Sequence, residues 1–289
     1  MTKRILIRHR NQHKNTMKAK ITIIALFILL PLYVRAYKEN VVKVWSNSMC
    51  KDVPVSVILP HEYSDTINYP VIYLLHGYSD NHTNWAKNGV VGALADKHNV
   101  IVVMPDGGYD SWYFDSPIVK EYRYETFVSQ ELISYVDSCY STISDRKARA
   151  ITGLSMGGHG AFYIAMRNQD KFANMGSLSG GLDIRPFHNR WNIAARLGSY
   201  EQYPERWEEH TVINQTHLLT PGSMNIVFEC GTSDFFFKVN CNMHEKLLNE
   251  GIPHDFYVRP GGHTWIYWFA NIKYQFMYFC DSFNKSLNK

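Results

Sequence analysis

Gly153-Leu154-Ser155-Met156-Gly157 is a Gly-x-Ser-x-Gly pentapeptide set between a short apolar run and a helix-forming stretch. A serine at that spacing can occupy a sharp strand-to-helix turn. The glycines let neighbouring backbone pass without a Cβ clash, and the serine Oγ stands clear to attack a carbonyl carbon. The N–H of Met156, opening the following helix, would then face the oxyanion that such an attack creates. Three fixed residues are a weak signal alone, so partners must be sought elsewhere in the chain.

A serine hydroxyl is a poor nucleophile until a histidine takes its proton and a carboxylate orients that histidine. Asp234, in Cys230-Gly231-Thr232-Ser233-Asp234-Phe235, lies just beyond an apolar strand-like run, where the C-terminal edge of a sheet presents side chains. His263, in Pro260-Gly261-Gly262-His263-Thr264-Trp265, also follows a strand-like run, and its glycines leave the loop free to aim the ring. The rivals are His244 inside a helical pattern and His254 at the start of a strand, which read as exposed or packing residues, and Asp255 one residue into that strand, which would point along the sheet face and not from its end. His159, one helical turn after the serine, would point away from Oγ and reads as structural or as part of the pocket rim. The order Ser155, Asp234, His263 is that of an α/β-hydrolase. A second oxyanion donor is expected from the loop at His76-Gly77-Tyr78, as the N–H of Tyr78, the alternative being an ordinary strand-ending turn. His76 reads as a residue supporting that turn.

The elements that must position these groups alternate along the chain. Two strand-like stretches at 41–46 and 53–59 precede continuous apolar runs of about five residues at 71–75, 100–104, 148–152, 175–179, 225–229 and 255–258, with helical patterns between them. Such alternation reads as βαβ units with buried parallel strands. Val128, Leu132, Tyr135, Val136 and Cys139, and later Trp265, Trp268, Phe269, Ile272, Phe276 and Phe279, recur at helical spacing and read as core faces. Residues 181–224 interrupt the rhythm with Phe187, Trp191, Tyr200, Tyr203 and Trp207; a short helical cap is expected there, either shaping a pocket or packing on the body. The fold class expected is α/β: a mostly parallel central sheet flanked by helices.

The first 36 residues hold eight Lys or Arg and no acid, with Lys18 and Lys20 ahead of an apolar run at 21–32 and small residues in Val34-Arg35-Ala36. That pattern reads as a signal peptide over 1–36, with Met17 an alternative start, a secreted or periplasmic product, and one catalytic domain over 37–289. The 12-residue run is short of the roughly 20 residues that span a bilayer. Without the leader, the 30 basic residues become 22 against 26 acidic ones with no basic stripe in the sequence, so nucleic acid is not expected as a partner. The five cysteines, Cys50, Cys139, Cys230, Cys241 and Cys280, lack zinc-site spacing; Cys139, Cys230 and Cys280 are expected as small buried thiols. No metal or organic cofactor is expected.

Several segments together resemble the esterase D family of α/β-hydrolases. They are the run from Tyr73-Leu74-Leu75-His76-Gly77-Tyr78 to Trp85, Val102-Val103-Met104-Pro105-Asp106-Gly107, Ser111-Trp112-Tyr113, the Ser155 pentapeptide and His263-Thr264-Trp265. That family includes short-chain tributyrin-type esterases, S-formylglutathione hydrolases, feruloyl and acetylxylan esterases of carbohydrate esterase family one, and antigen 85 acyltransferases. The resemblance implies Ser155, Asp234 and His263 as the triad, and Tyr78 and Met156 as the oxyanion positions. It also implies Trp112 and Tyr113 as candidate pocket residues, with a core or loop-anchoring role as the alternative. The implied function is hydrolysis of carboxylic esters through an acyl-enzyme, with feruloyl or acetyl groups on plant polysaccharide as the expected substrate. Generic short-chain ester cleavage and acyl transfer are the alternatives, and a non-enzymatic carbohydrate-binding protein is a remote one. Thr264 departs from the acidic residue often found there in secreted tributyrin-type relatives, which leaves substrate detail open.

Overall fold

A computed structural model of the chain describes residues 36–287; the leader expected over 1–36 lies, apart from Ala36, outside the described residues. Eight strands form one sheet: β1 (Lys38–Ser46), β2 (Lys51–Leu59), β3 (Val71–Leu75), β4 (Ile101–Pro105), β5 (Arg149–Gly153), β6 (Asn174–Leu178), β7 (Asn225–Gly231) and β8 (Asp255–Arg259). Their order is β1-β2-β4-β3-β5-β6-β7-β8. The β1–β2 hairpin is antiparallel, β2 meets β4 antiparallel, and every later pairing is parallel. This is the expected α/β sheet.

Side-chain alternation explains why the central strands are apolar throughout. Val71, Tyr73 and Leu75 of β3 point into one core, and Ile72 and Leu74 point into the other, so both faces must be covered. The first face carries α2 (Leu132–Cys139), α3 (Met156–Arg167) and α6 (Phe237–Asn249); the second carries α1 (Val90–His98) and α7 (Trp265–Leu287). The C-terminal aromatic stripe packs as expected, burying Trp268, Ile272, Phe276 and Phe279. No helix among the described residues is long and apolar enough to cross a membrane.

Two expectations need correction. The strand at 255–259 is not buried: as the outermost strand it has one neighbour, and Tyr257 and Val258 are exposed. Its charged ends, Asp255 and Arg259, suit an edge that must not pair with another chain. Cys139 is exposed as well, because it is the last residue of α2 and the extended Tyr140 after it takes the position packed on the core. Cys230 and Cys280 are buried, and all five thiols are free.

Between β6 and β7 the chain forms a 3₁₀ turn (Arg185–Phe187), α4 (Ala194–Leu197), α5 (Pro204–His210) and a further 3₁₀ segment (Val212–Leu218). Most of this cap packs on the body. Trp207 is fully buried with its indole N–H on Gly198 O (3.0 Å), and Ile213 N–H returns to Leu182 O (2.9 Å). Its early loop, carrying Trp191, instead reaches the C-terminal end of the sheet.

His159 of α3 is wholly buried beneath the cap, its Nε2–H donating to His210 O (3.0 Å) and its ring stacked on Tyr163. Burial penalises the cation and holds its pKa down at about 4, and burial also lowers those of His76 and His210. The unfolded chain takes up these protons near pH 6.5 while the native state refuses them. Stability is therefore full above about pH 6.5 and declines as pH falls toward 4. Thermal unfolding followed across that window is expected to show a falling midpoint, with a shallower fall in His159→Gln; equal slopes in the two proteins would refute the buried neutral histidine.

Candidate active site

Strand β5 ends at Gly153, and Ser155 turns the chain into α3 with φ 54 and ψ −117. An L-residue pays a steric penalty at positive φ, so the surroundings must hold it there. They do so by crowding. A Cβ on Gly157 would stand 2.5 Å from His76 O and 2.6 Å from Leu75 O, and one on Gly153 would stand 2.7 Å from Leu75 O and from the Gly157 carbonyl group. Only glycine lets β3, β5 and α3 converge this closely. Ser155 N–H is tied to Leu178 O (3.0 Å).

The loops after β7 and β8 carry the other two residues and are bonded to each other. Ser233 N–H donates to Gly261 O (2.8 Å) and Thr232 N–H to Arg259 O (3.0 Å), while a Cβ on Gly231 would lie 2.3 Å from Gly261 O. Beneath them, buried Glu229 accepts a hydrogen bond from Arg259; burial pushes its carboxyl pKa up and the guanidinium pulls it back. The result is a continuous relay. Asp234 accepts from His263 Nδ1 at 2.9 Å and from Phe236 N–H at 2.8 Å, and His263 Nε2 lies 2.8 Å from Ser155 Oγ. With Nδ1–H donating to the carboxylate, Nε2 is left to accept the serine proton. The Asp234 side chain is fully buried, and His263 keeps 15% of its side chain exposed. Phe235 and Phe236 pack on the His263 ring, and Trp268 meets it edge to face.

The rival residues stand elsewhere. His244 Nδ1–H donates to His254 Nε2 (2.7 Å), because His254 Nδ1–H is committed to Ile252 O (2.7 Å). Asp255 is exposed on the edge strand.

Gly77 brings the β3 loop against Ser155, with the position of an added Cβ only 3.5 Å from Ser155 Cβ. The N–H groups of Ser79 and Asp80 are bonded to Tyr109 O and Gly77 O, whereas those of Tyr78 and Met156 have no hydrogen-bond partner among the described residues. Two unpaired donors thus flank Ser155. His76 acts as a keystone: Nδ1–H donates to Gly77 O (2.8 Å) and Nε2 accepts from Gly107 N–H (2.7 Å). Tyr113 donates its hydroxyl to His76 O (3.2 Å), and Trp85 donates its indole N–H to Leu75 O (3.0 Å).

Tyr113 is therefore fully buried under the loop and lines no open cleft, its ring filling space that any Cβ on Gly107 or Gly160 would invade. Trp112 is buried as well, its indole N–H on Trp191 O (3.1 Å). The residues that do reach the open side of His263 are Phe235 and, stacked on it, Trp191. Sequence reasoning passed over Phe235, although its place next to Asp234 was a signal, and counted Trp191 only among the cap aromatics.

Among the described residues no group of three or more His, Cys, Asp or Glu is arranged to hold a metal ion. A groove of about 720 Å³ at the N-terminal ends of β7 and β8, lined by Asn225, Asp255 and Tyr274, contains none of the relay residues. What the relay can do chemically is deprotonate Ser155 as its oxygen adds to a carbonyl carbon, with two N–H groups beside it to receive the developing oxyanion.

Comparison with known proteins agrees with this chemistry. The profile of the family described as "Putative esterase" matches residues 46–278. The chain is 28% identical over 244 residues to an acetyl esterase of Caldicellulosiruptor saccharolyticus, a match covering 78% of this chain and 91% of that one. It is 34% identical over 168 residues to an endo-1,4-beta-xylanase/feruloyl esterase of Xylanibacter ruminicola, covering 50% of this chain and 23% of the relative. A solved ferulic acid esterase superposes with a TM-score of 0.74 at 28% identity, covering 86% of this chain and 98% of that one. An α/β-hydrolase sheet, a family profile over most of the chain and relatives named for ester cleavage lead to one conclusion: the chain belongs to the esterase family of α/β-hydrolases and is a carboxylic ester hydrolase.

Proposed function

We propose that ester cleavage here runs through an acyl-enzyme on Ser155 and that the natural substrates are feruloyl or acetyl esters of plant polysaccharide. The observation that carries the mechanism is the unbroken chain of contacts from Asp234 through His263 to Ser155, at 2.9 and 2.8 Å. Ser155 Oγ forms a bond to the acyl carbon while its proton passes to His263 Nε2. Asp234 keeps the ring in the right tautomer and stabilises the imidazolium. The tetrahedral oxyanion is received by the N–H groups of Tyr78 and Met156, each worth roughly 3 kcal/mol in the transition state. The bond to the alcohol then breaks, the alcohol oxygen takes the proton from His263, and water repeats the sequence to release the acid.

The substrate reading is supported by relatives named as acetyl esterase, feruloyl esterase and ferulic acid esterase. The name acetyl esterase also favours a second reading, general cleavage of short acyl esters. Action outside the cytoplasm rests on the basic, apolar and small-residue pattern of the first 36 residues.

Three outcomes are expected. Ser155→Ala loses about three or more orders of magnitude in kcat/KM on p-nitrophenyl acetate, p-nitrophenyl butyrate and methyl ferulate while circular dichroism is unchanged; retained activity would mean a different nucleophile. Asp234→Asn, which favours the wrong tautomer, loses on the order of a thousandfold or more with little change in KM. Expression of the whole chain in a secreting host yields a product whose first residue is Tyr37, read by N-terminal sequencing. A retained leader would remove the argument for export.

A further inference from the structure

The two edges of the sheet differ. β8 has five residues, and the arginine at its end is committed to Glu229. β1 has nine, and its register with β2 runs from Lys38↔Leu59 to Ser46↔Lys51 without skipping a residue, so the strand carries no bulge. It has no proline either. β1 ends the sheet beyond β2, and among the described residues the main chain of 39–45 bonds to no other segment. Alternate N–H and C=O groups along its outer side are therefore open to a further strand.

The side chains say which strand. Glu39, Val41, Lys43 and Trp45 alternate with Val42 and Val44, which pack on the first core, and so share the other face. All four are exposed, Val41 by 61% and Trp45 by 55%. Charges commonly protect such an edge, and Glu39 and Lys43 lie roughly 13 Å apart along the strand, too far to satisfy each other. β2 sets Ile58 opposite Glu39 and Pro54 opposite Lys43, so neither charge meets its opposite there.

A second copy of β1 supplies both missing charges. Antiparallel pairing about a two-fold axis through Val41 sets residue 39 opposite 43 and residue 37 opposite 45, with side chains on the same face. Glu39 of each copy then meets Lys43 of the other, Val41 meets Val41, and Tyr37 meets Trp45. Centring the axis on Asn40 would set Glu39 against Val41 and Lys43 against Tyr37; centring it on Val42 would set Glu39 against Trp45 and Lys43 against Val41. Both neighbouring registers leave the charges unmatched, and in the Val41 register no residue of β1 faces a like charge.

We infer that β1 is an interface between two copies of this chain, paired edge to edge about Val41 so that one sheet runs through a two-fold dimer. The strand, about 30 Å long, supplies the main-chain bonds. Val41 and Trp45 supply the apolar contact, and the crossed Glu39–Lys43 pairs set the register. This surface lies at the opposite edge of the sheet from His263 and does not depend on the mechanism proposed for Ser155.

The test is sedimentation velocity on the protein secreted from the whole chain, over about 1 to 100 μM. Wild type is expected to dimerise in that range. Glu39→Lys and Lys43→Glu each set like charges opposite one another twice in the dimer and are expected to raise its dissociation constant about tenfold or more. The double variant, which restores opposite pairs, is expected to return to within about threefold of wild type. Circular dichroism checks that each variant is folded, and amide exchange along β1 is expected to slow with protein concentration in wild type and the double variant but not in the single ones. A wild type that stays monomeric overturns the inference and leaves the edge to a strand of another protein. A dimer that both single reversals leave intact, or that the double reversal fails to restore, overturns it as well, because the copies then meet elsewhere or in another register.

Discussion

The convergence of three backbone segments around Ser155 is the constraint on which the site depends. Strand β3 ends, β5 ends and α3 begins within a space that admits no Cβ at Gly153 or Gly157 and almost none at Gly77. That crowding fixes the positive φ of Ser155 and presses the Gly77-Tyr78 peptide against its side chain. The strained turn and the two unpaired N–H groups are thus two results of one steric fact. Fully buried strands on either side supply the rigidity that such a turn requires.

Around this centre, side chains that never approach a substrate hold the loops. His76 is the clearest case, because a histidine one residue before the glycine invites a chemical role. Its nitrogens are both committed, one to Gly77 O and one to Gly107 N–H, and burial keeps it neutral. Tyr113 and Trp85 complete the support from opposite sides of the β3 end. The Glu229–Arg259 pair performs a comparable task for the loops of Asp234 and His263, tying neighbouring strands just below them.

Much of this was legible in the chain. Periodicity located all eight strands to within a few residues, most plainly at β3 and β4, where a buried parallel strand leaves a continuous apolar run. The positions of Ser155, Asp234 and His263 relative to those strands were enough to anticipate that they would meet. What stayed hidden depended on contacts between distant segments. Tyr113 reads equally well as pocket or core until its hydroxyl is seen on His76 O, and Cys139 fits a buried stripe until Tyr140 is seen to take its place. The cap, which has the weakest periodicity, divided between the two roles expected of it: Trp207 packs on the body, and Trp191 leans over the site.

The relay is distributed unevenly across the sheet. Ser155 follows a central strand paired on both sides, whereas His263 follows β8, the outermost strand, with a single paired neighbour and largely exposed side chains. Edge elements of this kind open in local fluctuations that leave the rest of a domain intact. An excursion of β8 would carry the imidazole away from the serine while the turn at Ser155, the Gly77-Tyr78 loop and both cores stayed assembled. On the serine mechanism proposed above, mild heat or denaturant would then silence the enzyme reversibly before the protein unfolds, and amide exchange along β8 would track the loss of turnover more closely than exchange in β3 or β5.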